Sequence, residues 1–194
     1  MVRPAPKRPR RSAPRLRRGR DAPAPGRVKR RRGDRIIGLI SDTHGLVRPE
    51  ALLALRGSEL IIHAGDIGGP EVLETLRSVA PVVAVRGNND RGPWAGGLKD
   101  TEIFEVGGVT ICVLHRIGDL DRDPAAARFR VVISGHSHRP SVREVRGVLY
   151  VNPGSAGPRR FSLPIAVGLL RLRRGVLTAT IRELAVPATG SRAS

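Results

Sequence analysis

The sequence predicts an α/β fold of two packed sheets with helices on their outer faces, preceded by a basic tail. Three observations carry this. Between residues 35 and 90, short apolar runs alternate with Leu- and Ala-spaced segments opened by proline, which is the pattern of parallel βαβ units. Beyond residue 100 the apolar runs come in pairs split by Gly-containing turns, the pattern of antiparallel hairpins. A chain that changes from one pattern to the other is read as two sheets, not one open sheet. Third, charge is concentrated at one end. Residues 1–34 hold 14 of the 35 Lys+Arg and only two acids, Asp21 and Asp34. The formal net charge of +18 therefore describes mostly that segment.

Residues 1–34 are rich in Pro, Arg and Ala and show no hydrophobic periodicity. Such a segment buries too little apolar surface to offset its ordering entropy, so it is expected to be disordered. It reads either as a polybasic arm for nucleic acid or anionic surfaces, or as a solvated tail or over-extended start. A single cysteine, Cys112, excludes an internal disulfide. No apolar run reaches about 18 residues, so no transmembrane helix is expected. No signal-peptide core follows the basic start, and the default location is the cytoplasm, although an Arg-rich transit peptide has a similar composition. The domain is expected over 35–186, with 187–194 as a frayed end.

Ile36–Ser41 is the first strand, a run of β-branched and aliphatic residues ended by Asp42-Thr43-His44-Gly45. Arg48–Arg56 has Pro near its start and suits a short helix. Glu59–Ala64 is the second strand, ending in Gly65-Asp66-Ile67-Gly68. Pro70–Val79 is a second helix, and Pro81–Arg86 a third strand ending in Gly87-Asn88-Asn89-Asp90. This order demands right-handed crossovers. Gly92–Lys99, which holds the only tryptophan, Trp94, reads as a mobile loop. Glu102–Val106 and Val109–Leu114 form a hairpin about Gly107-Gly108, and the second strand runs into His115. Asp119–Arg128 is expected as a short helix. Arg130–Ser134 is a strand ending in Gly135-His136-Ser137-His138. Val142–Val145 pairs with Val148–Val151, Asn152–Gly157 is a tight loop, and Ile165–Leu172 pairs with Val176–Arg182.

In parallel sheets, sites lie outside the carboxyl ends of the strands. The polar tips at those ends are Asp42 and His44, Asp66, Asn88, His115, and His136 with His138. They include four of the five histidines, and the fifth, His63, lies three residues before Asp66. Taken singly, each tip has a plain reading: a helix cap at Ser41-Asp42, turns at Asp66 and Asn88, a core histidine at His115, a surface loop at His136–His138. Five incidental tips at one topological address is the less economical reading. His and carboxylate ligands suit Mn, Fe, Co, Ni or Zn, and without Cys ligands a structural zinc is not expected. Seven ligands are too many for one tetrahedral ion and suit two ions sharing a carboxylate, at the separation of roughly 3.5–4 Å used in phosphoryl hydrolysis.

The ordered series Asp42-x-His44, Gly65-Asp66, Gly87-Asn88-x-Asp90, His115 and Gly135-His136-x-His138 resembles the calcineurin-like metallophosphoesterase family. Within it, the chain resembles the small single-domain bacterial and archaeal phosphodiesterases, as does Asn152-Pro153-Gly154-Ser155 followed by Pro158-Arg159. The resemblance spans Arg35 to Leu184. It implies a four-layer α/β-β/α sandwich of two mixed sheets flanked by helices. It implies one divalent ion on Asp42, His44, Asp66 and His138, and a second on Asp66, Asn88, His115 and His136, with Asp66 shared. Manganese is the first expectation for both ions, with Ni, Fe, Co or Zn as alternatives. The resemblance further implies in-line attack by a hydroxide between the ions, with Asp66, Asn88 and His136 acting through it. The implied substrate is a phosphoester small molecule or nucleotide, hydrolysed as a phosphodiester.

Two positions depart from the family pattern. Many members carry a His after the motif asparagine as the leaving-group acid; here it is Asn89, whose amide can donate a hydrogen bond but cannot deliver a proton. That leaves Asp90 more structural than catalytic, and Asn89 a substrate contact at most. Arg116 follows His115 where Gly is common, and is either a phosphate contact or a solvent-facing side chain. Ser155 has no evident base and reads as a loop residue; Cys112, mid-strand, reads as packing. Two rival functions stay open: a non-catalytic scaffold on the same fold, as in the retromer subunit that resembles this family, and a nuclease tethered by the basic tail. The oligomeric state is left open.

Overall fold

The computed structural model describes residues 34–160 and 162–186. The expected tail, apart from Asp34, and the expected frayed end at 187–194 lie outside the described residues. In the first sheet, β1 (Arg35–Ile40), β2 (Leu60–His63) and β3 (Val82–Ala84) pair in parallel. β9 (Ala166–Arg173) adds antiparallel to β1, and β10 (Val176–Glu183) to β9, giving the order β10-β9-β1-β2-β3. The second sheet runs β4 (Thr101–Val106), β5 (Val109–Leu114), β6 (Val131–Ile133), β8 (Val148–Asn152), β7 (Ser141–Val145). There β5, β6 and β8 are parallel and the edge strands antiparallel. The two mixed sheets expected from the sequence are present.

Strand alternation explains the layers. Ile37, Leu39 and Ile62 point from the first sheet towards Ile111, Val113, Val131 and Ile133 of the second, forming the core between the sheets. Burial contributes about 1.5–3 kcal/mol for each such side chain, so the sheets cannot part without losing most of the fold. Ile40 and Ile61 point the other way, onto α1 (Pro49–Leu55) and α2 (Pro70–Arg77), through Ala51, Leu55, Val72 and Leu76. Gly38 permits the close approach of α1: a Cβ there would lie 2.6 Å from Leu55 Cδ2 and 2.9 Å from Ser58 Oγ.

The outer face of the second sheet, with Cys112, Leu114, Val132 and Val148, is covered by Phe129 and partly buried Leu120, Ala125 and Ala127. The helix expected over Asp119–Arg128 is absent. A 3-10 turn at Ile117–Asp119 is followed by turns closed by Phe129 N–H donating to Pro124 O (2.8 Å). Pro124 disfavours helical geometry at Asp123, whose Oδ1 accepts the Ala125 N–H (3.0 Å) instead. The fourth layer is thus built of turns. The loop expected at Gly92–Lys99 contains a 3-10 turn, Pro93–Gly97, with Ala95 buried and Trp94 packed against the helix-side core.

Candidate metal centre

The strand pairing does not stop where the strands end. Asp42 N–H donates to Gly65 O (3.0 Å), His44 N–H to Asp66 O (3.0 Å) and Gly45 N–H to Ile67 O (2.8 Å). This ladder carries the loops after β1 and β2 side by side. The backbone turns sharply at each tip: Asp42, His44, Asp66, His136 and His138 all have φ between 48° and 66°. Such left-handed conformations cost a non-glycine residue of order 1–3 kcal/mol and collect at functional sites. Five of the eight described non-glycine residues with positive φ belong to this cluster, which ties the strain to the site and not to turns in general. Gly135 lets the loop after β6 reach across, since a Cβ there would meet Ser41 Oγ and lie 2.8 Å from Asp42 Oδ2.

The side chains converge. Asp42, Asp66, His115 and His138 are buried, and His44 half-buried. Asp42, His44 and His138 can bring ligand atoms within 4.8 Å of one another, as can Asp42, Asp66 and His115. Asp42 is common to both groups. Asp66 Oδ2 also lies between two imidazoles, 3.5 Å from His115 Nε2 and 4.0 Å from His44 Nε2. His136 is exposed, with its ring edge-on to His115 at 5.2 Å between centroids. Asn88 is exposed at the tip after β3. Arg116 is exposed and lies 3.9 Å from Asp119 in an ion pair.

Further groups hold these side chains. A carbonyl only accepts, so His115 Nδ1–H donates to Ala64 O (2.7 Å) and leaves Nε2 as a bare acceptor. Asn89 donates to both oxygens of Asp66, through its backbone N–H to Oδ1 (2.8 Å) and its amide to Oδ2 (2.6 Å). His136 N–H donates to Asp42 Oδ2 (3.1 Å). Asp90 accepts from Gly68 N–H (2.9 Å) and Gly87 N–H (2.8 Å), which ties the loop after β2 to the one after β3. Ser155 Oγ–H donates to Asp42 O (2.9 Å) and accepts from Gly157 N–H (3.4 Å), tying the loop after β8 to the one after β1. Thr43 Oγ–H donates to Ile67 O (2.8 Å) and accepts from buried His63 Nε2 (2.8 Å).

Electrostatics follow the geometry. Burial works to raise the Asp66 carboxyl, but His115 and the two Asn89 donors overcome it and hold Asp66 well below the usual carboxylate range. Burial works to lower His115, and Asp66 and Ala64 O outweigh it, raising its imidazole. His44 is lowered, by burial first and then by the charge of Arg160, against the pull of Asp66.

A cation fits this set. Asp42 Oδ1, His44 Nε2, His115 Nε2 and His138 Nδ1 are buried without a hydrogen-bond partner. His138 Nε2 lies 3.1 Å from Asp42 Oδ1, yet that oxygen makes no hydrogen bond. Each stranded group costs about 1–3 kcal/mol, and a divalent cation is the partner that carboxylates and neutral imidazoles share.

Three contributors lie outside the expected set. His63 stands apart from the tips, and its place inside an apolar strand is the signal that it is buried. Asn89 as the holder of Asp66, and Arg48 as the clasp on Gly157 O through Nε and Nη2 (3.2 Å each), left no sequence signal.

Residues 36–175 match the family model described as the calcineurin-like phosphoesterase superfamily domain. A protein of Methanothermobacter thermautotrophicus named a probable metallophosphoesterase is 35% identical over 164 residues, covering 78% of this chain and 94% of its own. A Methanocaldococcus jannaschii protein named a phosphodiesterase is 27% identical over 153 residues, covering 69% and 91%. Among solved structures, vacuolar protein sorting 29 from Cryptosporidium parvum superposes with a TM-score of 0.63 at 19% identity, covering 79% of this chain and 99% of that one, a likeness of fold.

Proposed function

The chain belongs to the calcineurin-like phosphoesterase superfamily, and from that premise we propose that it is a phosphodiesterase working with two divalent metal ions. The observation that carries the reading is the cluster of buried carboxylate and imidazole atoms left without hydrogen-bond partners. In the proposal, Asp42, His44, Asp66 and His138 hold one ion, and Asp66, Asn88, His115 and His136 the other. Bound there, such ions supply Lewis-acid polarisation of the phosphoryl group and an acidified water as nucleophile.

The chain's own residues prepare that chemistry. Ala64 O fixes the His115 tautomer so that Nε2 faces Asp66 as an acceptor. The paired donors of Asn89 orient Asp66 and keep it ionised. Asn89 has no proton to give, so the leaving group takes its proton from solvent or leaves as a stable anion. Diesters with good leaving groups are accordingly the better substrates. The phosphodiesterase named among the relatives supports the diester over the monoester. Manganese is the first ion to test, the substrate is a small molecule or nucleotide, and the cytoplasm is the proposed location. Among the described residues no helix is long and apolar enough to cross a membrane.

The test is turnover of an activated phosphodiester by the purified full chain with Mn or Ni added. Failure with every divalent ion, in protein shown to be folded, would sink the reading. Asp66→Ala should abolish turnover and metal binding together, because this carboxylate faces imidazoles on both sides.

A further inference from the structure

The helices do not cover the whole of the first sheet. Val167 and Leu169 of β9 pack into the core beneath α1 and α2. Further along the same face, Arg171 and Arg173 are exposed, and on β10 so are Val176, Thr178, Thr180 and Arg182. Register fixes which side they share. Val176 pairs with Arg173, Thr178 with Arg171, Thr180 with Leu169 and Arg182 with Val167, and paired residues point to one face. The residues that alternate with them, Leu170, Leu177, Ala179 and Ile181, face the core between the sheets. Arg171 and Arg173 lie beside Ile36 and Arg35 at the start of β1, whereas Asp42 follows its end, so this surface stands away from the metal centre.

The surface carries one sign of charge. Between Glu144 and Glu183 the chain holds seven arginines and no acid. Three of them, Arg171, Arg173 and Arg182, stand on this face, and Arg174 is in the turn beside it. Of these four, Arg173 alone has an acidic partner among the described residues, Asp34 at 3.4 Å. Arg171 and Arg173 are two residues apart on one strand, about 7 Å, so their charges repel until an anion lies against them. The described chain begins at Asp34, beside Arg173, and the residues before it in sequence hold 14 Lys+Arg and one acid.

The layout selects the anion. Arg173 pairs with Val176, and Arg182 is six residues further along β10, so the row spans about 20 Å. A small phosphate meets one such charge, whereas a polymer with phosphates at regular intervals meets all of them. Thr178 and Thr180 set hydroxyl donors between the arginines, and these too contact phosphate oxygens. The face has no aromatic side chain on which unpaired bases could stack, which favours a duplex over a single strand.

We propose that the outer face of β9 and β10 is a docking surface for the phosphate backbone of a nucleic-acid duplex, held by Arg171, Arg173 and Arg182. It is independent of what the metal centre hydrolyses.

The experiment uses the Mn-loaded full chain and a short DNA duplex of arbitrary sequence, with binding followed by fluorescence anisotropy across salt concentrations. The triple variant Arg171→Gln/Arg173→Gln/Arg182→Gln should reduce the slope of log affinity against log salt by about 2–3, from about 0.9 for each phosphate contact, and bind on the order of 10–100-fold more weakly. Arg171→Lys/Arg173→Lys/Arg182→Lys should keep most of both, since charge carries the contact. Arg77→Gln/Arg128→Gln/Arg130→Gln, at exposed arginines on other faces, should leave the slope unchanged. No binding by the wild type, or an unchanged slope in the first triple variant, would overturn the assignment. So would equal losses in the Lys variant or in the second Gln variant, because shape or net charge would then explain the result. Tighter binding to vesicles of equal parts phosphatidylserine and phosphatidylcholine than to the duplex, lost in the first variant, would make the face a membrane surface and overturn it as well. If the wild type hydrolyses no diester and duplex binding follows these expectations, the enzymatic reading fails and the docking surface stands.

Discussion

Thr43→Val tests how the centre is held together. The Thr43 hydroxyl has one proton, and it goes to Ile67 O (2.8 Å); its oxygen therefore accepts from His63 Nε2–H (2.8 Å). Thr43 and His63 are both fully buried, and His63 Nδ1 already lacks a partner. Valine has nearly the same shape but no hydroxyl, so packing is kept and only hydrogen bonding changes. Ile67 O keeps a partner in Gly45 N–H (2.8 Å), whereas His63 is left with neither nitrogen satisfied. Losing the net value of two hydrogen bonds and stranding one buried N–H costs about 2–4 kcal/mol. The assay is urea unfolding, read as a change in midpoint at constant slope. Thr43→Ser, which keeps the hydroxyl, should stay within about 1 kcal/mol of wild type. Divalent-ion affinity of the valine variant should fall on the order of 10-fold, because the loops bearing Asp42 and Asp66 lose a tie between them. A valine variant as stable as wild type would refute the role given to the Thr43–His63 pair.

Three further outcomes are expected. Burial pushes His63 from 6.5 down to about 3, so the unfolded chain takes up a proton that the folded one refuses. That contribution to stability is complete above pH 6.5 and is lost towards pH 3 at about 1.4 kcal/mol per pH unit. His63→Gln should flatten this part of the stability–pH curve, and an unchanged slope between pH 6 and 4 would show that another group sets it. Gly135→Ala should cost about 1–3 kcal/mol and weaken metal binding, since its Cβ would press on Ser41 and Asp42; a thermal melt with a metal titration checks both. Cys112 is 1% exposed and burial pushes its thiol up to about 11, so a thiol reagent at pH 8 should label it only after denaturant is added.

What could be read from the sequence followed periodicity. Apolar runs such as Ile36–Ser41 and Glu59–Ala64, each ended by turn residues, mark the strands and hence the tips that carry Asp42, Asp66, His115 and His138. Proline opened both helices, as expected, because its fixed φ suits the first turn. The layer over the second sheet is the exception: Asp119–Arg128 has only weak apolar spacing, and the turn chemistry of Asp123-Pro124 prevails over the expected helix. Contacts made by side chains across long separations were not legible. No local pattern says that Asn89 turns its amide to Asp66, 23 residues away, or that Arg48 reaches Gly157, 109 residues away. Such contacts exist only once both loops have been placed by their strands. Arg116, whose adjacency to His115 left it either a phosphate contact or a solvent-facing side chain, is exposed and lies 3.9 Å from Asp119 across the turn at Ile117–Asp119.

The candidate ligands are drawn from both sheets. Asp42 and Asp66 follow β1 and β2 of the first, and His115 and His138 follow β5 and β6 of the second. An ion seated among them would find its full set of partners only in the docked sandwich and nothing comparable in the unfolded chain. Occupancy and folding are therefore thermodynamically linked: at a free-ion concentration 100 times the dissociation constant, stability rises by about 2.7 kcal/mol. Scarcity of metal would then remove the protein itself as well as its activity, and chelation should lower its melting temperature in proportion to the logarithm of the ion withdrawn.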